Sequence, residues 1–221
     1  MDLEAIKWRV LVYIVIAVAG YLLGSIPTGY LIGRARGVDI RTVGSGNIGA
    51  TNVFRMLGKG PGALALVMDG LKGYAASSWL ADLVIHQFVV PAAQQEYVKV
   101  LGGIAAVLGH SFTCWLKFKG GKGVATSAGV FFALTPLAAT ISLVTWILLF
   151  AVSRYVSVAS IAAALALPVT VWLTSDSLVL RAVTTAICLL IILKHKSNVQ
   201  RLFNGTERRF GRKNPVAEVS E

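Results

Sequence analysis

Apolar runs of about 20 residues, the length that crosses a bilayer, recur along the chain at roughly 9–33, 61–80, 98–116, 123–135, 136–152, 157–174 and 178–194. The fourth run is short, and Pro136 separates it from the fifth. This pattern predicts an all-α integral membrane protein with seven transmembrane helices. Five spans is the runner-up, with the fourth and fifth runs forming one broken element and another run re-entrant. The basic residues between the runs set the orientation. Arg34, Arg36, Arg41, Arg55 and Lys59 follow the first run, and Lys117, Lys119 and Lys122 follow the third. Arg154 follows the fifth, and a basic tail from Lys194 to Lys213 follows the seventh. With seven spans, the N-terminus outside and the C-terminus cytoplasmic, all these groups fall on one side. The alternate loops carry little beyond Lys99 and Arg181. A cleaved signal peptide is disfavoured, because Asp2 and Glu4 offset Lys7 and Arg9 and the run continues to Ile32. Residues 1–210 are expected to form one membrane domain, and 211–221 a polar, flexible cytoplasmic tail.

Composition agrees with this pattern. The chain is 56% hydrophobic and 14% charged over 221 residues, whereas a soluble domain carries about 25% charged residues. Two cysteines, Cys114 and Cys188, exclude a disulfide framework, and no Cys/His spacing suggests a metal. No cofactor and no nucleic acid is expected. The net charge of +11 reads first as topology and contact with anionic membrane lipids.

Two basic segments hold more than topology requires. In VGSGNIGATNVFRMLGKG, Val43 to Gly60, the residues Gly44, Gly46 and Gly49 free backbone N–H groups to converge. Ser45, Asn47, Thr51 and Asn52 add neutral donors, and the Arg55 fork fits a phosphate at two points. The alternative is an ordinary Gly/Asn-rich turn. WLKFKGGKGVATSAGV, Trp115 to Val130, repeats the recipe: GKGVATS parallels GNIGATN, each with an Ala-Thr pair opening a helix. Both read as anion cradles at helix N-termini on the same face. No G-x-x-x-x-G-K followed by Ser or Thr occurs, so nucleotide hydrolysis is unsupported.

Asp69 and Lys72 lie three residues apart in an apolar run, on one helix face. Ionisable groups at that depth are costly and are paired or functional; a mutual ion pair that orients the site is the first reading, direct catalysis the second. His86 reads as surface and His110 as a helix end, while His195 and Asn198 share a face at the basic rim. No histidine has aspartate five residues later, since those positions are Pro91, Trp115 and Gln200. That excludes the H-x4-D acyltransferases.

GSIPTGYLIGR, VGSGNIGATNVFR, MDGLKGY, LGHSF with FKGGKGVATSAGV, RYVSVASI and HKSNVQRLFNGTE occur in one order from about Gly20 to Glu207. In this the chain resembles the bacterial acyl-phosphate:glycerol-3-phosphate acyltransferases, the PlsY family, with Lys196 where that family usually has arginine. The resemblance implies a seven-helix inner-membrane enzyme with its active site facing the cytoplasm. It would move a fatty acyl group from acyl phosphate to the 1-hydroxyl of sn-glycerol 3-phosphate, giving lysophosphatidic acid and phosphate at the start of phospholipid synthesis. It also implies an acyl-phosphate-producing enzyme as a partner. Ser45, Arg55, Lys122, His195 and Asn198 match the family's catalytic positions. Gly120, Gly121 and Gly123 match its phosphate-binding motif, and Glu207 matches a residue of structural importance. His195 and the departing phosphate are the two candidates for the proton acceptor. The rival from another class is a transporter for a phosphorylated metabolite.

Overall fold

A computed structural model describes residues 3–211, and these are helical almost throughout. The helices are α1 (Leu3–Ser25), α2 (Thr28–Ala35), α3 (Ala50–Leu57), α4 (Lys59–Ser77), α5 (Trp79–Gln87) and α6 (Ala92–Ser111). They continue with α7 (Val124–Leu134), α8 (Pro136–Ser153), α9 (Val156–Thr174), α10 (Leu178–Lys194) and α11 (Lys196–Phe203), and one 3-10 turn spans Cys114–Leu116. Each of the seven apolar runs is helical. Among the described residues, four stretches are long and apolar enough to cross a membrane: Ile6–Ala35, Ala92–Leu116, Pro136–Ser153 and Val156–Thr174. A fifth qualifies if α10 and α11, bent by 53°, count together. Among the other apolar runs, α4 carries Lys59, Asp69 and Lys72. The 11 residues of α7 extend only about 16 Å at 1.5 Å per residue.

Local sequence explains the breaks. Pro27 cannot donate an N–H, and α1 gives way to α2 there. Pro136 starts α8 in the first turn, where its missing donor costs nothing. Two elements differ from the sequence reading. The stretch around His86, expected as an outer loop, is the helix α5, and α6 begins at Ala92 rather than near 98.

The chain makes three out-and-back excursions from one end of the bundle, through α4 to α6, α7 to α8, and α9 to α10. The segments at that end therefore meet: the loop 36–49, the loop 117–123, the α8–α9 turn and α11. Helix α6 is the central post, packing against α1, α4, α5, α7 and α10. Helix α8 is peripheral, with Leu143, Val144, Ile147 and Leu148 exposed as expected for a surface in contact with lipid tails.

Lipid offers helices no hydrophobic reason to associate, so close backbone packing at small residues carries the contact. A Cβ at Gly24 would overlap the backbone of Ala106 across the α1–α6 crossing, and one at Gly73 would overlap Thr126 across α4–α7. Gly129 faces the backbone of Gly70 and Tyr74 in the same way. Polar ties lock the ends. Thr113 Oγ1 donates to Ser25 O at 2.6 Å, Tyr21 Oη to Phe112 O at 2.6 Å, and Lys194 Nζ to Ser111 O at 2.8 Å.

Gly129→Val is expected to destabilise the protein in detergent by about 1–3 kcal/mol through overpacking. Gly60→Ala, at a position with open space around it, should change stability by no more than about 0.5 kcal/mol. Equal melting temperatures for the two variants would remove the close-packing account of the α4–α7 contact.

Candidate active site

Two helix N-termini open on one polar cavity of about 110 Å³. The first belongs to α3, where Gly49, Ala50 and Thr51 form part of the wall. The second belongs to α7, where Gly123, Val124 and Ala125 do so. Neither start carries a side-chain cap, so backbone N–H groups and the positive ends of both helix dipoles face the cavity. Ser45, Asn47, Asn52, Arg55, Lys122, Ser157, His195, Asn198, Arg201 and Glu207 supply the rest of the polar lining, together with Asp69 and His110.

The loop before α3 is built around Asn52, which is 2% exposed. Its Oδ1 accepts the Ser45 N–H at 2.9 Å, and its Nδ2 donates to Ile40 O and Val43 O, each at 3.1 Å. All its hydrogen bonds serve the turn, so Asn52 clamps the loop rather than offering a donor to a ligand. Gly44 and Gly46 take φ of +63° and +68°, a region open to glycine at no steric cost. Both lie off the polar cavity: Gly44 lines a neighbouring basic cavity, and Gly46 lines one with Arg41 and Lys119. Asn47, whose Oδ1 accepts Gly49 N–H at 2.8 Å, and Thr51 do line it.

The three lysines of the second segment separate. Lys117 and Lys119 are exposed, and Lys122 reaches the cavity. A Cβ on Gly120 would strike His110 O and Ser111, and one on Gly121 would strike the His110 ring. Those two glycines therefore let the loop lie flat on the end of α6, with Gly121 N–H donating to His110 O at 3.0 Å. Gly123, at φ +83°, turns the chain into α7.

Lys122 Nζ donates to Asn198 Oδ1. Asn198 Nδ2 in turn donates to Glu207 Oε1 at 2.7 Å, which fixes the amide so that its oxygen faces the lysine. Glu207 also accepts from Ser157 Oγ at 2.9 Å and from Arg201 Nε at 2.7 Å. Burial would raise the Glu207 pKa, but these hydrogen bonds outweigh it and hold the carboxyl below its usual range. Burial, reinforced by Arg201 and Arg55 against the pull of Glu207, pushes Lys122 down to about 8.

His195 sits just past the end of α10, 2% exposed. Its Nδ1 lies 2.8 Å from Ile191 O; a carbonyl can only accept, so Nδ1 carries the proton and Nε2 keeps a lone pair. Burial and the Lys122 charge push its pKa down to about 4, with smaller opposing effects from Ile191 O and Glu207. His195 is thus neutral at physiological pH.

Asp69 and Lys72 form a buried ion pair at 2.8 Å. Thr28 Oγ1 also donates to Asp69, and Lys72 Nζ donates to Ile26 O at 2.9 Å, tying α4 to the break between α1 and α2. His110 Nδ1 stands 3.4 Å from the same carboxylate. Arg201 and Ser157 are site residues that sequence reasoning missed. Arg201 could have been found, since it follows Asn198 by three residues on α11 and so neighbours it on the helix surface.

The polar cavity adjoins an apolar groove of about 180 Å³, which shares Val124 and Ala125 with it and continues past Phe131, Trp146 and Leu167 between α7, α8 and α9. A buried cationic cavity joined to an apolar groove suits a phosphate-bearing molecule and a hydrocarbon chain together.

Comparison with known proteins gives the same direction. The family model described as glycerol-3-phosphate acyltransferase matches residues 14–205. The chain is 45% identical over 199 residues to the glycerol-3-phosphate acyltransferase of Geotalea daltonii, covering 90% of this chain and 98% of that relative. Identity to the Geobacter sulfurreducens protein of the same name is 44% over 197 residues, with coverage of 89% and 97%. The crystal structure of PlsY (YgiH), an integral membrane glycerol 3-phosphate acyltransferase, in its glycerol 3-phosphate form is similar at a TM-score of 0.81 and 40% identity, covering 90% of this chain and 96% of that one. The lysophosphatidic acid form gives 0.78 and 39%, covering 90% and 95%. This chain belongs to the glycerol-3-phosphate acyltransferase family.

Proposed function

We propose that the protein is a membrane acyltransferase that moves a fatty acyl group from acyl phosphate to the 1-hydroxyl of sn-glycerol 3-phosphate. The observation that carries this reading is the union of two uncapped helix N-termini, Arg55 and Lys122 on one cavity that passes into an apolar groove. Membership of the family supplies the acceptor. The donor follows from chemistry: an acyl phosphate places one phosphate in the cationic cavity and its chain in the groove.

In this reading Arg55, Lys122, Ser45 and the N–H groups of α3 and α7 hold the phosphates and offset negative charge as it develops at the carbonyl. His195 and Asn198 orient the acceptor. The hydroxyl oxygen attacks the acyl carbon, the carbon–oxygen bond to phosphate breaks, and the hydroxyl proton must be taken up. Leaving phosphate, whose bridging oxygen becomes strongly basic as the carbon–oxygen bond breaks, is the better acceptor than a histidine held at about 4. His195 Nε2 then orients the hydroxyl without keeping its proton. Asp69, Lys72 and Glu207 orient the site, while Asn47, Thr51 and Gly123 sit where a phosphate would. Gly44, Gly46, Gly120 and Gly121 act one step back, by shaping the two loops.

All seven apolar helices enter or cross the bacterial inner membrane in this reading, with the N-terminus outside and the cavity and C-terminus in the cytoplasm. The even return of the chain to one basic end supports that orientation. Residues 1–210 form one domain; the tail proposed at 211–221 lies, apart from Gly211, outside the described residues. The enzyme that makes acyl phosphate is the expected partner, and membrane lipids are the surroundings.

Purified protein given palmitoyl phosphate should release phosphate in a glycerol 3-phosphate-dependent way, and Arg55→Ala and Lys122→Ala should each slow this at least about 100-fold. Absence of release by folded protein would shift the reading to transport of a phosphorylated metabolite. Substrate affinity should also carry the Lys122 titration. The free lysine is protonated below about 8, so KM for the phosphate it holds should be flat from about pH 6.5, where phosphate monoesters are dianions, and rise above pH 8. Lys122→Arg should abolish that rise; an unchanged inflection would separate it from Lys122. His195→Gln should lower kcat without shifting the acidic limb of the pH profile. Loss of that limb would restore histidine as the base.

A further inference from the structure

Arg55 is the wall between two cavities. On one side is the polar cavity with Lys122 and His195. On the other is a space of about 530 Å³ lined by Phe54, Met56, Arg208, Arg209 and Phe210. A long side chain with room on both sides needs something to aim it. Its Nη2 donates to the main-chain carbonyl of Arg208 at 3.2 Å, a residue 153 positions later in the chain.

Arg208 belongs to the segment after α11. Gly205, at φ +68°, reverses the chain, Glu207 is buried beneath it, and the next three residues lie across the α8–α9 turn. Phe210 N–H donates to Arg154 O at 2.8 Å, and Arg209 Nε donates to Ser153 O at 3.3 Å. The Phe210 ring meets Phe150 of α8 edge-on, with centroids 5.4 Å apart and planes at 72°, a favourable aromatic geometry. Arg154, which supplies the carbonyl, takes φ +58°, uncommon for a residue with a side chain. The turn is thus shaped to present that oxygen to the incoming segment.

We propose that residues 208–210 form a strap, fastened by Phe210 to α8 and the α8–α9 turn, that aims Arg55 into the polar cavity through the Arg208 carbonyl. Phe210 is then a positioning residue for the phosphate ligand of Arg55. The proposal rests on the reading of Arg55 as a phosphate ligand. The choice of a carbonyl matters, because it directs the guanidinium without neutralising it.

The test is steady-state kinetics of the full-length protein with palmitoyl phosphate and glycerol 3-phosphate, for wild type, Phe210→Ala, Phe210→Tyr, Phe150→Leu and each combined with Arg55→Lys. Phe210→Ala should raise KM for one of the two phosphates about tenfold and change kcat less than about threefold. Phe210→Tyr, which keeps the ring, should behave as wild type. On the Arg55→Lys background the Phe210→Ala effect should shrink below about twofold, since residues acting through one group do not add. Phe150→Leu removes the ring partner of Phe210 together with the Phe150–Trp146 stack beside the apolar groove, and should reproduce the KM change, again shrinking on the Arg55→Lys background, even if Phe210→Ala fails to fold. A full tenfold effect that persists on Arg55→Lys, a fall in kcat at unchanged KM, or no effect of either ring deletion would overturn the strap. Those outcomes differ from failure of the underlying reading, which would appear as wild-type values for Arg55→Lys alone or no glycerol 3-phosphate-dependent release by wild type.

Discussion

Lys122 donates to the amide oxygen of Asn198 although the Glu207 carboxylate lies one hydrogen bond further along. Arg55 likewise donates to a peptide carbonyl. Both carboxylates on the cavity wall are already engaged: Asp69 by Lys72 and Thr28, Glu207 by Arg201, Asn198 and Ser157. Buried cations are ordinarily stabilised by pairing with anions. Here neutral oxygens hold them instead, so the positive charge is directed but not cancelled. Each supporting element can be traced to that requirement, because a neutral oxygen must be aimed accurately to hold a cation at all.

Accuracy of this kind comes from the helix packing. Gly24 and Gly73 bring α1 onto α6 and α4 onto α7 at backbone contact, and packed interiors at such separations do not deform by small amounts. The same device appears beside the chemistry, where Gly120 and Gly121 seat the Lys122 loop on the end of α6. The buried Asp69–Lys72 pair adds the break after α1 to this frame by way of Ile26 O. An ion pair of that kind is modest in net stability but restrictive in geometry, which suits a position just under the site.

The helices were legible because an apolar run of bilayer length must satisfy its backbone hydrogen bonds within itself, and a helix does so. The helix α5 was not, since nine residues following a longer apolar run carry no separate periodic signal. Within the site, the residue types and the convergence of two basic Gly-rich loops could be read from the chain. The roles of individual glycines could not. A missing Cβ looks the same in sequence whether a ligand or a neighbouring helix fills the space, and Gly120 and Gly121 face a helix. Asn52 shows the matching ambiguity for polar groups, because a donor offered to a ligand and one spent on its own loop are the same letter. Phe210 was invisible, being one aromatic residue in a basic tail whose contacts lie on α8.

The apolar groove between α7, α8 and α9 meets the polar cavity at Val124 and Ala125, with no intervening barrier of charge. A chain lying there exchanges lipid neighbours for protein ones, and avoids the cost of about 0.8 kcal/mol per methylene that entering water would impose. The amphiphile's relevant concentration is then its mole fraction in the bilayer, a quantity per unit area, whereas its water-borne co-reactant is counted per unit volume. Catalysis becomes a meeting of a two-dimensional solution with a three-dimensional one. Diluting the membrane with inert lipid would slow it even while every bulk concentration stayed fixed.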